Sequence, residues 1–372
     1  MHVLWLVRDN LETHPGGDTT QILQTAAALH KRGVRVEFAD RLPHRIERYD
    51  VVHLFHLDRL WEHLAVCKRL RRTRTPAVLS TIYWPADEFD RAARTGFQGT
   101  LARLLGSENY QSLRQIQRLA LARLRGGAGG WDRRLLRFRD AARRLLDTVR
   151  VVLPNSAAER DEIRRCFGCC PPAVVVPNAV NIEQFGPPGE DPPERAGVLC
   201  VGRIEPRKNQ LALIEALRDT GIPLTLIGQV GRFSRRYGRR CWRAAGPNIR
   251  FLDHAPPAAL REHYRRAAVH ACVSWYETPG LASLEAAVCG CGVVVTPGGC
   301  TREYFGDHAH YARPDDPGSI RTAVHAALAD PPGSGLARLV AERYNWDAAA
   351  ERTIEGYELA IRQPDAATRP NQ

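Results

Sequence analysis

The sequence predicts an α/β protein built from two doubly wound, mostly parallel sheets, and three observations carry that expectation. Short apolar runs alternate with amphipathic segments along nearly the whole chain, the rhythm of βαβ units. At 372 residues and 41.6 kDa the chain exceeds one typical domain, and 44% hydrophobic residues suffice for two cores. Near the middle, the stretch Gly-Pro-Pro-Gly-Glu-Asp-Pro-Pro at 186–193 reads as a semi-rigid linker.

Residues 274–285, Ser-Trp-Tyr-Glu-Thr-Pro-Gly-Leu-Ala-Ser-Leu-Glu, are the stretch around which the rest is organised. The apolar run 269–273 predicts a buried strand entering it, Pro279-Gly280 breaks the chain, and 281–288 predicts a helix. Glu277 therefore falls on a strand-to-helix loop and Glu285 inside the helix that follows. Ligands of open α/β sheets bind outside the carboxyl ends of the strands. A helix start there offers free N–H groups to an anion such as a diphosphate. A carboxylate beside that anion has other work, such as gripping hydroxyls. The competing account is an ordinary strand-loop-helix with two solvated glutamates.

In the first half the predicted strands are 2–7, 34–39, 50–55 and 77–82, followed by 149–153 and 174–176. A helix is expected after Pro15-Gly16-Gly17, with Asp18 and Gln21 as a capping box, and another at 58–72. The first turn is not Gly-x-Gly-x-x-Gly, so a nicotinamide dinucleotide site is not supported. Its adjacent glycines let backbone approach a ligand closely, or make a plain turn. Between 84 and 149 the rhythm is interrupted by two amphipathic segments around a glycine-rich break at 126–130. The first has an apolar stripe at Leu113, Ile116, Ala120 and Leu124, the second at Leu135, Phe138, Ala142, Leu145 and Val149.

In the second half, strand 197–202 leads into Arg203-Ile-Glu-Pro-Arg-Lys208-Asn209 and a helix at 210–218. A guanidinium that binds in a fork and an ammonium acting as a point charge make a diphosphate clamp at such a crest; a solvated basic loop is the alternative. Further strands are expected at 223–227, 248–252 and 293–296, the last ending in Pro297-Gly298-Gly299. Helices follow at 257–267, 320–329 and 336–343. A terminal helix at 346–361 precedes a frayed tail from Gln363.

Composition narrows the function classes. No apolar run approaches the roughly 20 residues of a membrane span. The run 3–7 lacks a basic lead and a cleavage site and reads as a first strand. The ten cysteines show no disulfide framework or metal-ligand spacing and read as small buried hydrophobes in a reducing cytoplasm. The net charge is +12, yet only Lys31, Lys68 and Lys208 are lysines among 53 basic residues, which makes Lys208 conspicuous. Residues 91–150 carry fourteen arginines against Glu108, Asp132, Asp140 and Asp147. These are either solvated helix faces or a surface for an anionic membrane or a phosphate-bearing acceptor. Nucleic acid is not expected as a partner, because aromatic residues are not interleaved with the arginines.

With these residues in place, the chain resembles a retaining glycosyltransferase of family 4 (glycosyl transferases group 1). Pro15-Gly16-Gly17, the segment Val176-Pro-Asn-Ala-Val-Asn-Ile-Glu-Gln-Phe185, Val201-Gly-Arg203 with Lys208-Asn209, and the Glu277/Glu285 pair occur in the family's order. The resemblance covers nearly the whole chain. It implies a GT-B fold, two Rossmann-like doubly wound domains facing each other across a cleft. The first domain would span 1–187, with a basic helical insertion at about 85–148, and the second 188–345. The segment 346–372 would cross back to the first.

The resemblance also implies transfer of a sugar from a nucleotide-sugar to an acceptor hydroxyl with retention, in assembly of a bacterial cell-surface polysaccharide, lipopolysaccharide or glycolipid. No metal or cofactor is implied, the UDP-, GDP- or dTDP-sugar being a co-substrate. Arg203 and Lys208 would hold the diphosphate and stabilise its departure, Glu277 would contact the sugar, and Glu285 would bind the ribose. Gly280, Leu281 and Ala282 would present N–H groups, and Gly16 and Gly17 would line the cleft. The acceptor would be a sugar or a lipid-linked group. The enzyme would be cytoplasmic, with peripheral contact to the inner face of an anionic membrane through 91–150.

Two features depart from the family pattern. A histidine that often follows the fourth N-terminal strand is absent from Ser80-Thr81-Ile82-Tyr83-Trp84, leaving Thr81 and Tyr83 as acceptor-side candidates. Pro279 replaces an aromatic residue in the glutamate motif. The alternatives are an epimerase or a phosphorylase on the same fold, or a basic membrane- or nucleic-acid-binding module with a vestigial site.

Overall fold

The computed structural model describes residues 1–363 apart from 12, 14, 15, 95, 125, 127–129, 187–193, 232 and 279. Most of the predicted linker, Pro15, Pro279 and the tail after Gln363 lie outside the described residues. The chain divides into two compact units. The first holds Met1–Pro85, Thr100–Pro177 and Trp346–Gln372; the second holds Ala86–Gly99 and Asn178–Asn345.

The first unit carries the parallel sheet β2-β1-β3-β4-β5, with β1 (His2–Leu6), β2 (Arg35–Ala39), β3 (Val51–Phe55), β4 (Ala77–Ser80) and β5 (Val151–Val152). The second carries the parallel sheet β11-β10-β9-β6-β7-β8. Its strands are β6 (Val198–Val201), β7 (Leu224–Ile227), β8 (Ile249–Leu252), β9 (Val269–Cys272), β10 (Gly292–Val295) and β11 (His310–Tyr311). Parallel strands covered on both faces read as continuous apolar runs rather than alternating ones. All residues of β3, β4, β9 and β10 are accordingly buried, whereas edge strand β2 is partly exposed throughout. Helices of both units pack on these faces, and each unit holds an apolar cluster among the described residues. Each fully buried Leu, Ile or Phe contributes about 1.5–3 kcal/mol.

Three sequence expectations need correction. Residues 174–176 form no strand. They run beside β5 through the bridge Val152–Ala173 and the bonds Val174 N–H to Val152 O (3.1 Å) and Val176 N–H to Pro154 O (2.9 Å). The flanking Pro171, Pro172 and Pro177 lack the N–H a ladder needs. The helix Gly96–Leu124 breaks at Gly106 (φ +72°), and its buried positions are Gly99, Ala102, Tyr110, Ser112, Gln115 and Leu119. Leu113 and Leu124 face solvent, so the first predicted stripe is not the packed one. The Asp18–Gln21 capping box does not form. Asp18 pairs with Arg8 and His56, and Gln21 is buried with its amide donating to Asn155 Oδ1 (2.9 Å). The second stripe packs as expected, from Leu135 to Val149.

Many arginines of 91–150 are occupied within the fold. Arg94 pairs with Asp90 (2.6 Å), and Arg134 with Asp132 (3.0 Å). Arg118 reaches Asp58 and lies over the Trp61 ring. Arg143 donates to Phe167 O, and Arg150 to Ala360 O and Gln363 O. No helix among the described residues is long and apolar enough to cross a membrane. All ten cysteines are free, and seven are buried.

The helix Trp346–Arg362 docks on the first sheet. Its Tyr357 hydroxyl accepts from Trp5 Nε1–H (2.9 Å) and lies 2.8 Å from His53 Nδ1, while His53 Nε2 meets Ser80 Oγ at 2.8 Å. Trp5 and His53 are register partners on β1 and β3, so one hydroxyl satisfies two strands. Burial holds His53 down to about 3, neutral at physiological pH. Gly356 fits because a Cβ there would stand 2.4 Å from Leu153 Cδ2. Tyr357→Phe leaves the Trp5 N–H and His53 Nδ1 buried without a partner. Chemical denaturation should show a loss of about 1–3 kcal/mol. No loss would show that this network is dispensable.

Candidate functional site

In the second unit, two strand-to-helix crossovers leave neighbouring strands β6 and β9 at their carboxyl ends. After β6 the chain passes Gly202 (φ +144°) and turns through a short 3-10 segment, Pro206–Lys208, into the helix Gln210–Leu217. Asn209 sits at φ +60°, where its side chain bridges Val273 O (3.1 Å) and Pro314 O (2.7 Å). The Trp275 N–H donates to Arg207 O at 2.9 Å. These bonds tie the basic loop to the segment after β9 and set the register between the two.

Their meeting point is an ion cluster. Lys208 Nζ lies 2.6 Å from Glu277 Oε1, and Arg207 Nη1 lies 3.5 Å from the same oxygen. Arg207 also donates to Tyr276 O (3.0 Å) and pairs with Glu205 (3.2 Å), its guanidinium 5.3 Å from the Tyr276 ring centre. Glu277 is buried, and burial alone raises a carboxyl; Lys208 and then Arg207 outweigh it and hold Glu277 down to about 2. Burial likewise opposes the charge on Lys208 and Arg207, but Glu277 raises both. Beneath them, His270 on β9 is fully buried and held down to about 3 by burial and the positive charge of Lys208.

Gly298 and Gly299 make the Glu277 loop possible. Glu277 bridges Gly299, its N–H donates to Gly298 O (3.2 Å), and the Cys300 N–H donates to Glu277 O (2.9 Å). A Cβ at Gly298 would stand 2.2 Å from Trp275 O, and one at Gly299 (φ +89°) 2.0 Å from Glu277 O. Only glycine permits this approach.

The helix Leu281–Val288 starts at Gly280 (φ +92°), which lies against Glu277. Leu281 and Ala282 are partly exposed, and their N–H groups have no hydrogen-bond partner among the described residues. Glu285 projects from the same helix and accepts from the Tyr264 hydroxyl at 2.9 Å. Burial pushes its carboxyl up to about 7. The Arg203 side chain is exposed, with no hydrogen bond or ion pair among the described residues.

The structure thus joins Lys208 directly to Glu277, sets Gly280 against Glu277, and puts Glu285 one turn along the helix. Sequence reading missed Arg207, Tyr276 and Tyr264. In an arginine-rich chain one more arginine carries no signal, and Tyr264 comes from a different helix, Pro257–Arg266.

In the first unit, Gly16 precedes and Gly17 begins the helix Gly17–Lys31, and the Gly16 N–H donates to Thr19 Oγ1 (3.1 Å). Asp18 in its first turn meets Arg8 Nε at 2.8 Å and His56 Nε2 at 3.3 Å. His56 follows β3 at φ +69°, and this cluster holds Asp18 well below the usual carboxylate range despite its burial. It joins positions far apart in sequence and was not anticipated. Thr81 is fully buried and bonds Glu159, whose carboxyl burial pushes up to about 7. The Tyr83 ring packs on Phe167, and its N–H donates to Glu159 (2.8 Å).

The chain is similar to several known proteins. The model of the family described as "Glycosyl transferases group 1" matches residues 182–353, the part that contains Lys208, Glu277 and Glu285. The chain is 30% identical over 242 residues to a D-inositol 3-phosphate glycosyltransferase of Streptomyces bingchenggensis, covering 57% of this chain and 53% of that one. It is 28% identical over 243 residues to the O-antigen chain mannosyltransferase B of Escherichia coli, covering 58% and 62%. It therefore spans between about half and three-fifths of the length of these relatives. Among solved structures, sucrose-phosphate synthase from Thermosynechococcus elongatus superposes with a TM-score of 0.73 at 16% identity, covering 96% of this chain and 98% of that one. Anabaena HepE in complex with UDP-glucose superposes with a TM-score of 0.65 at 15% identity, covering 95% and 98%. The likeness establishes the fold as GT-B, with two Rossmann-like units.

Gly299→Ala should force the Glu277 backbone away and lower the melting temperature by roughly 5 °C. Gly335→Ala, in the first turn of the helix Ser334–Arg343, where a Cβ would meet only His308 at an ordinary 3.6 Å, should not lower it. Equal melting temperatures for the two variants would contradict the close approach.

Proposed function

We propose that this chain is a retaining glycosyltransferase that moves a sugar from a nucleoside-diphosphate donor to an acceptor hydroxyl. The observation that carries the reading is the pair of part-exposed Lys208 and buried Glu277 at 2.6 Å, on a loop that also carries Arg203, whose side chain has no ion pair among the described residues, with Gly280 at the start of the next helix packed against the same glutamate. One patch then offers cations and free N–H groups for a diphosphate, and a carboxylate held ionised next to them. In the reaction, the bond from the sugar C1 to the diphosphate oxygen breaks, a bond from C1 to the acceptor oxygen forms on the same face, and the acceptor's hydroxyl proton passes to the departing diphosphate oxygen. Lys208, Arg203 and Arg207 take up the charge that grows on the departing diphosphate, in a partly dry site where fixed charges act strongly. Glu277 accepts hydroxyl hydrogen bonds from the sugar and stabilises positive charge developing at C1. Glu285 accepts from the ribose hydroxyls, oriented by Tyr264. No step calls for a metal. The name of one relative, an O-antigen chain mannosyltransferase, supports a role in building a cell-surface glycan, whereas another is named for D-inositol 3-phosphate.

UDP-glucose is the first donor to assay, since HepE was solved with it. Lys208→Ala and Glu277→Gln should each lower turnover at least about 100-fold with the fold intact. Undiminished turnover in either variant would overturn the reading. Conversion of the sugar without any acceptor would assign an epimerase instead.

Glu285 must be ionised to accept two hydroxyls, and its carboxyl is pushed up to about 7. Nucleotide affinity should therefore rise as pH increases from about 6 to about 8. Calorimetry of Glu285→Gln should find weaker binding and a flat profile; a profile unchanged from wild type would remove Glu285 from the ribose site.

A further inference from the structure

The helix Arg235–Ala244 carries none of the donor-site residues. Between Gln229 and Leu252 the sequence has seven arginines and no Asp or Glu. The helix packs inward through Tyr237, Gly238 and Cys241. Tyr237 Oη accepts from the Leu211 N–H (2.9 Å), and a Cβ at Gly238 would stand 2.9 Å from Val230. Arg235, Arg239 and Arg243 form one outward row, Arg236 and Arg240 the next. All five are exposed, and none has a hydrogen bond or ion pair among the described residues.

This arrangement works against the helix. Like charges face each other at i,i+4 along both rows. Arg235 and Arg236 occupy the first turn, where the dipole repels cations and no acidic residue offsets them. An anionic partner on this face would reverse both costs. Large apolar groups border the arginines: Phe233 is 93% exposed and Trp242 47% exposed, the latter edge-on to Phe251 with ring centres 6.1 Å apart. A convex cationic face bordered by Trp and Phe suits the boundary between lipid headgroups and acyl chains. It lacks the row of aromatic platforms along a groove that single-stranded nucleic acid requires. The arginines of 91–150 make a weaker candidate, since many already have internal partners.

We propose that the arginine face of the helix Arg235–Ala244, with Phe233 and Trp242, docks the second unit on an anionic lipid bilayer. The proposal does not rest on the transferase reading.

The test is co-sedimentation of the full chain with phosphatidylcholine vesicles, with and without about 30% phosphatidylglycerol. Wild type should bind only the anionic vesicles and release as salt rises past physiological strength. The double variant Arg239→Gln/Arg240→Gln should lower the partition coefficient roughly 30-fold without lowering the melting temperature. Phe233→Ala should weaken binding to the anionic vesicles at low salt without changing how steeply binding falls as salt rises. The control Arg133→Gln/Arg139→Gln, in the 91–150 segment, should bind like wild type. The proposal is overturned if wild type ignores anionic vesicles, if the Arg239/Arg240 variant binds as wild type does, or if the control loses as much. Tighter binding to single-stranded DNA than to vesicles would also overturn it.

Discussion

The contact between Lys208 and Glu277 is the constraint on which the second unit's site depends. Two charges removed from water are costly apart and tolerable together. Their meeting fixes how the loop after β6 must approach the loop after β9. Asn209, in its left-handed conformation, and Gly298-Gly299, pressed against the Glu277 backbone, serve that approach. The pair stores a poised charge distribution, a carboxylate kept ionised and an ammonium kept protonated, with Arg207 as a second cation on the same oxygen. Under the proposed reaction, a diphosphate entering the patch would compete with Glu277 for Lys208, and the released carboxylate would become available to the sugar. In this account one ion pair is both a structural lock and the device that donor binding opens.

The two units solve a common problem differently. In the first, polar groups near the carboxyl ends of the strands meet one another: Arg8 and His56 with Asp18, Thr81 and two backbone N–H groups with Glu159. In the second, the exposed Arg203 side chain and the N–H groups of Leu281 and Ala282 have no partner among the described residues.

The fold was legible because parallel strands buried on both faces must be apolar throughout, as Val293, Val294 and Val295 are. Where that logic fails, sequence reading failed with it. Residues 174–176 have strand composition but prolines on either side. The helix Arg235–Ala244 was not read because its buried face is only Tyr237, Gly238 and Cys241, too thin for a periodic signal. In the site, Lys208 stood out as a rare lysine and Glu277 and Glu285 by their spacing. Arg207 was hidden among many arginines. The Arg8–Asp18–His56 cluster is invisible along the chain because the ends of β1 and β3 meet only when the sheet forms.

Calorimetry of UDP binding to Glu277→Gln and Lys208→Ala would test the lock most directly. If Glu277 competes with the diphosphate for Lys208, the glutamine variant should bind UDP at least as tightly as wild type while losing sugar transfer, and the alanine variant should bind it at least about tenfold more weakly. Equal weakening in both variants would contradict the account and make Glu277 a support for the phosphate site rather than its competitor.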